Sequence, residues 1–225
     1  MQTVYVGMSG GVDSSVSALL LKEQGYNVVG IYMKNWSKDL PGMKCPWADD
    51  LADAKRVAVK LGIPFEVWDF EKEYREKVVE YMLREFKAGN TPNPDIMCNQ
   101  EIKFKLFYKK AMAAGADFIA TGHYARVGIR QSEHDFLGTG SARPIVTGEP
   151  PLATSVVTSG APQKACSGLP QGEQVLVRLR HRAPLVPAIF DGETIHFDSK
   201  IKRPASGQSA VLYDGEICIG GGIIA

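Results

Sequence analysis

The chain has 225 residues, 44% hydrophobic and 23% charged, the balance of an ordinary globular protein, which excludes a collagenous, low-complexity or largely disordered one. Lysine plus arginine (26) nearly cancels aspartate plus glutamate (25), leaving a net charge of +1, so any contact with nucleic acid has to rest on a local basic patch. No apolar run approaches the ~20 residues that span a bilayer, no basic, cleavable leader is seen, and Cys45, Cys98, Cys166 and Cys218 make no Cys-x-x-Cys pair. A cytoplasmic protein with no membrane contact, free thiols and no protein-bound metal centre is expected.

In chain order, Thr3 to Met8 reads as a buried strand, followed by a glycine pair and a helix from Asp13 to Gln24 that Gly25 ends. A second buried strand covers Asn27 to Lys34. Trp47 to Leu61 places Leu51, Ala54, Ala58 and Leu61 on one helical face, Phe65 to Phe70 is a third strand, and Lys72 to Lys87 is helical again. A helix through Phe104 to Met112 precedes a short strand at Asp117 to Thr121. This alternation predicts an α/β fold with a doubly wound parallel sheet, whose ligands sit at the carboxyl ends of the strands. The loop after the first strand, Met33 and Gly122-His123 all fall there. From Val127 the texture changes. Residues 128–151, rich in Gly, Ser, Thr and Pro, read as a linker. Beyond Leu152 short alternating strands at Gln174–His181, Pro184–Phe190, Glu193–Phe197, Ser209–Tyr213 and Ile217–Ile224, with turn signals at Asp191-Gly192 and Asp214-Gly215, predict a small antiparallel β-barrel. The expected domains are 1–127, a linker at 128–151, and 152–225.

The strongest local signal is Met8-Ser9-Gly10-Gly11-Val12-Asp13-Ser14-Ser15, set between a strand and a helix. Glycines let backbone amides close on phosphate oxygens, the serines add hydroxyl donors, and the helix start adds the positive end of its dipole. Asp13 could orient Mg²⁺. Neither the Walker pattern nor the GxGxxG fingerprint is present there. The octapeptide instead resembles the pyrophosphate loop of enzymes that split ATP into AMP and pyrophosphate.

A second signal is Asn90-Thr91-Pro92-Asn93-Pro94-Asp95-Ile96-Met97-Cys98-Asn99. Two prolines fix the loop, and Asp95 and Cys98, three apart at a helix start, share a face. The helix start and the nearby Lys103 and Lys105 can stabilise a thiolate, and Asp95 can exchange a proton or cap the helix. Read from the residues alone, a small buried cysteine and a plain cap are the favoured readings. With the glycine loop, with Met33-Lys34-Asn35-Trp36 and with Thr121-Gly122-His123-Tyr124-Ala125-Arg126 in the same order, residues 1–127 resemble the tRNA-specific 2-thiouridylases, and the tail resembles that family's C-terminal barrel at Arg178–Pro187 and Gly207–Gly222.

The resemblance implies ATP-dependent 2-thiolation of the wobble uridine of tRNA through an adenylated C2 oxygen, with ATP and Mg²⁺ as cofactors and with tRNA and a persulfide-donor protein as partners; oligomeric state carries no signal. It places ATP on Gly7, Met8, Ser9, Gly10, Gly11, Val12, Asp13, Ser14, Met33 and Gly122, the target base on Asn93, Pro94 and Asp95, acid/base chemistry on Asp95, and the first catalytic cysteine at Cys98. Lys34 is the favoured additional phosphate contact. The family's central domain, with its Gly-Ile-Cys-Phe-Ile-Gly persulfide motif, finds no counterpart here, and Cys166 is a weak substitute in sequence context. A shortened relative that binds ATP, and tRNA, without completing sulfur transfer is the alternative reading.

Overall fold

The computed structural model describes residues 1–39, 42, 45–125, 143–147, 172–180, 182–201, 204–215 and 217–225. Two compact units are present: Met1–Arg75 with Glu101–Pro150, and Glu76–Gln100 with Pro151–Ala225. Cys166, His181, Arg126 and most of the predicted linker lie outside the described residues.

In the first unit, β1 (Thr3–Gly7), β2 (Asn27–Lys34), β3 (Phe65–Asp69) and β4 (Phe118–Ala125) form a sheet of order β3-β2-β1-β4, all parallel. Successive side chains on β1 point to opposite faces. Val4 and Val6 join Met8, Val28 and Tyr32 beneath helices α1 (Val12–Glu23) and α2 (Trp47–Leu61), which contribute Ala18, Leu21, Ala54 and Ala58. Tyr5, on the other face, meets Trp68 at 5.8 Å between ring centroids, and Trp68 packs on Phe107 of a helix running over 94–113. Burial on both faces is what the doubly wound reading requires. Alanines at 54 and 58 let α2 approach the sheet closely, and Gly62, with φ +62°, ends it.

Helices α3 (71–87) and α4 (94–113) differ from the expected plain α-helices: each contains a π-helical stretch, Arg75–Val79 and Cys98–Phe107. The α4 helix begins where the Asp95–Cys98 spacing predicts a helix start and runs without a break into the expected Phe104–Met112 stretch. Asn93 caps it, its Oδ1 accepting the N–H groups of Asp95 (3.1 Å) and Ile96 (3.2 Å), and Pro94 occupies the first turn, where a missing N–H costs nothing. Within the predicted linker, residues Arg143–Thr147 form β5, antiparallel to β4 with Ile119 opposite Thr147. Pairing with an open sheet edge satisfies backbone groups that local composition does not reveal.

The second unit carries β6 (Glu173–Arg178), β7 (Val186–Phe190), β8 (Ile195–Phe197), β9 (Ser209–Asp214) and β10 (Ile217–Ile223) in the antiparallel order β10-β9-β6-β7-β8. The period-2 pattern puts Val175, Val177, Ala188, Phe190, Ala210 and Leu212 on one buried face. Both predicted hairpin turns are formed. In the first, Asp191 Oδ1 accepts the N–H groups of Glu193 (2.9 Å) and Thr194 (2.6 Å). Among the described residues no helix is long and apolar enough to cross a membrane.

Candidate functional site

A cleft of about 330 Å³ opens at the carboxyl ends of β1, β2 and β4, where a doubly wound sheet offers ligands a place. Its floor is the glycine turn: Gly7, Met8, Ser9, Asp13 and Ser14 line it. The turn is held by its own hydroxyls. The Ser9 N–H donates to Ser14 Oγ (3.2 Å), the two hydroxyl oxygens lie 3.3 Å apart, and Ser14 and Ser15 both donate to the Gly11 carbonyl (3.2 and 2.8 Å). The start of α1 therefore faces the cleft with amides and hydroxyls already in place.

Two close approaches explain which glycines the turn needs. Gly10 adopts φ +84°, and a Cβ there would lie 2.5 Å from the Asp50 carbonyl oxygen. A Cβ on Gly122 of β4 would lie 2.6 Å from the Ser14 nitrogen and 2.8 Å from the Asp13 carbonyl carbon. The strand thus presses backbone to backbone on the turn, and Ser17 Oγ, donating to Asp13 O at 2.8 Å, ties the next turn of α1 to the same point. Gly10, Gly11 and Val12 support the turn without lining the cleft; Val12 is largely exposed on the outside of α1.

Met33 and Gly122 line the walls, together with Tyr32, Asn35, Asp50, Lys103, Thr121 and His123, and of these six only His123 is placed at the strand ends by the sequence. Lys103 brings a cation from α4. In sequence it sits in a basic run whose ordinary reading is a solvated face, and only packing of that helix against the sheet turns it inward. His123 lies within β4, at the carboxyl end of the sheet where its sequence position beside Gly122 places it. Its Nδ1 lies 2.7 Å from Thr121 Oγ1 and its ring packs on Phe104. Burial, helped by the Lys103 charge, pushes its pKa below the ordinary 6.5, so the ring is neutral at pH 7. Lys34, by contrast, is not at the cleft. It lies over the Trp47 ring and binds Glu71 at 3.0 Å, which holds its pKa above the usual lysine value. An alternating strand sends neighbours 33 and 34 to opposite sides.

Asn93, Pro94, Asp95 and Cys98 are brought together on the first turn of α4, within the second unit. None of the four lines the cleft, whose walls come from the first unit. Cys98 is half-buried, as is Cys45; Cys218 is exposed on β10, and none of the described cysteines is disulfide-bonded. Among the described residues no group of three His, Cys, Asp or Glu side chains gathers as a metal centre. Asp13 and Asp50 at the cleft can supply the one or two carboxylates that Mg²⁺ uses when phosphates complete its shell.

The model of the tRNA methyl transferase HUP domain matches residues 2–143, and that of the aminomethyltransferase β-barrel domain matches residues 161–224. The chain is 59% identical over 134 residues to the tRNA-specific 2-thiouridylase MnmA 2 of Geobacillus kaustophilus, covering 60% of this chain and 36% of that protein. It is 58% identical over 128 residues to the tRNA-specific 2-thiouridylase MnmA of Christiangramia forsetii, covering 56% and 32%. It therefore spans about a third of the length of the curated relatives it matches. Among solved structures, the U34-tRNA thiolase NcsA of Methanococcus maripaludis matches with a TM-score of 0.39 and 23% identity, over 55% of this chain and 39% of that one. With its first 143 residues matched almost throughout and a C-terminal sheet matched by the companion barrel model, the chain belongs to the family of the tRNA methyl transferase HUP domain.

Proposed function

We propose that the protein catalyses ATP-dependent 2-thiolation of the wobble uridine of tRNA. The observation that carries this reading is the cleft built on the Met8–Ser14 turn, with Gly122 pressed against it and Lys103 and a neutral His123 on its walls. Amides, hydroxyls and one cation suit a triphosphate, and Met33 at the end of β2 offers an apolar surface for its base. The uracil C2 oxygen attacks the α-phosphorus and pyrophosphate leaves. A persulfide sulfur then attacks C2 and AMP departs with the oxygen. This order is chemically necessary because a carbonyl oxygen leaves poorly until it is phosphorylated. Bound Mg²⁺ would supply charge neutralisation on the phosphates, with Asp13 and Asp50 as the residues able to hold it.

Asn93, Pro94 and Asp95 receive the uridine, which has to leave its stack to be reached. Asp95 moves the proton, and Cys98 attacks the inner sulfur of the persulfide carrier, closing a disulfide as the thiouridine is released. A donor protein carries that persulfide, since no Gly-Ile-Cys-Phe-Ile-Gly motif is present. That same missing motif favours a second reading, in which ATP, and tRNA, are bound but sulfur transfer is not completed.

One assay separates the two. Unmodified tRNA, ATP, Mg²⁺ and a persulfide donor are incubated with the protein, and pyrophosphate and digested nucleosides are measured. The first reading expects both pyrophosphate and 2-thiouridine, with thiouridine lost and pyrophosphate retained in Cys98→Ser. Pyrophosphate without thiouridine, or neither product with ATP still bound in a calorimetric titration, supports the second, and a protein that forms neither product and binds no ATP removes both.

A further inference from the structure

The Asn93–Cys98 turn is gripped from the C-terminal sheet. The Thr91 N–H donates to the Ser206 carbonyl at 2.7 Å, a backbone bond between the loop ahead of α4 and the turn that leads into β9. Next to that bond Gly207 adopts φ +86°, and a Cβ there would lie 2.9 Å from the Thr91 nitrogen, 3.0 Å from Asn90 Cβ and 3.1 Å from the Thr91 carbonyl carbon. Two of these three neighbours are backbone atoms, which cannot swing aside as the end of a side chain can.

Each side of this contact is fixed in turn. The Gly207 N–H donates to Ile224 O at 2.8 Å, and the Ile224 N–H donates to Gln208 O at 2.8 Å, so the turn is locked to the end of the β9–β10 hairpin. On the loop, the Asn90 N–H donates to Glu85 O and its side chain to Glu85 Oε2, both at 2.9 Å, securing it to the end of α3. Pro92, buried, and Pro94 fix φ on either side of Asn93, whose side chain caps Asp95 and Ile96. The path from Gly207 to Asp95 thus contains few free torsions.

We infer that Gly207 is a positioning residue for the reaction: its bare backbone lets the C-terminal sheet seat the 90–95 loop, and so sets where Asp95 and Cys98 stand. This inference rests on the proposed function for its meaning in catalysis. A displacement of about 1 Å in a reacting group can cost roughly 100-fold in rate, so a side chain wedged at 207 acts at a distance.

The test compares Gly207→Ala with Gly215→Ala. Gly215, in the β9–β10 turn, also has positive φ (+56°), but a Cβ there meets nothing within 4 Å. Both variants carry backbone strain, and only the first collides with the loop. Alkylation of Cys98 by iodoacetamide, followed on the Cys98 peptide by mass spectrometry, is expected to change about tenfold or more in Gly207→Ala and less than twofold in Gly215→Ala. Thiolation kcat should fall about 10- to 100-fold in the first, with ATP affinity within twofold of the unaltered protein. Equal alkylation and equal kcat in both variants overturn the inference and leave the proposed function standing. An unaltered protein that makes no thiouridine sinks the proposed function, while the alkylation comparison still decides the seating. Should Gly207→Ala not fold, amide exchange of Thr91 in the unaltered protein decides it: strong protection is expected, and exchange at the unfolded-chain rate overturns the seating.

Discussion

Gly122 shows how one absent side chain shapes the cleft. The glycine turn is legible because Ser9-Gly10-Gly11-Val12-Asp13-Ser14 is a contiguous run, whereas the reason for Gly122 lies more than a hundred residues away in chain, at Ser14 N and Asp13 C. Gly122→Ala is expected to lose about 1–3 kcal/mol of stability by overpacking and to weaken ATP binding at least tenfold, read by chemical denaturation and by calorimetric titration. ATP affinity within twofold of the original would show that the strand does not shape the turn. Lys103 and His123 make the complementary point. Their chemistry is plain in the sequence, but a lysine in a basic run turns toward a cleft only when its helix packs there. Lys34 is the reverse case: adjacent to Met33 in the chain, it is taken up by Glu71 and the Trp47 ring.

At the level of elements, most of the pattern was readable. The first three parallel strands and α1 and α2 emerge within one residue of the bounds their periodicity suggests, whereas β4 runs four residues past the expected Thr121. The π-helical stretches did not, because the shift from i→i+4 to i→i+5 bonding leaves no hydrophobic period of its own. β5 was hidden in a Gly/Ser/Thr-rich segment, since its order comes from the edge of β4 and not from composition. The α4 helix holds its place through Phe107, which is fully buried and packs edge-on to Trp68 at 5.8 Å. Phe107→Ala should cost about 3–5 kcal/mol, read as a lower denaturation midpoint, and should also loosen Lys103 at the cleft. A loss below 1 kcal/mol would mean that α4 is seated by something else.

Across the molecule, the perturbed groups predict which unit yields first to acid. His123 in the first unit has its pKa lowered from 6.5, so the unfolded chain binds its proton more readily. The stability this provides is complete above about pH 6.5 and declines as the pH falls below it. Glu71, in the same unit, is lowered from 4.5 by the Ser37 hydroxyl and then Lys34, adding a second loss below that value. In the second unit Asp191 is lowered from 3.8 to about 2 by the Thr194 N–H first, then His196 and the Glu193 N–H, so its contribution is lost only between those values. Amide and side-chain NMR during acid titration should show first-unit signals weakening while those of the second-unit sheet persist; loss of both together, or of the second unit first, would contradict this order.

Contiguous runs of residues set the fold class, the strand–turn–helix cradle and the capped turn bearing Asp95 and Cys98, because each depends on chain neighbours whose spacing is written in order. Only the folded chain could assign Lys103 to the cleft, remove Lys34 from it, and reveal Gly122 and Gly207 as points of backbone contact. Those outcomes depend on which distant segments meet at van der Waals distance, and no local period or motif encodes such meetings.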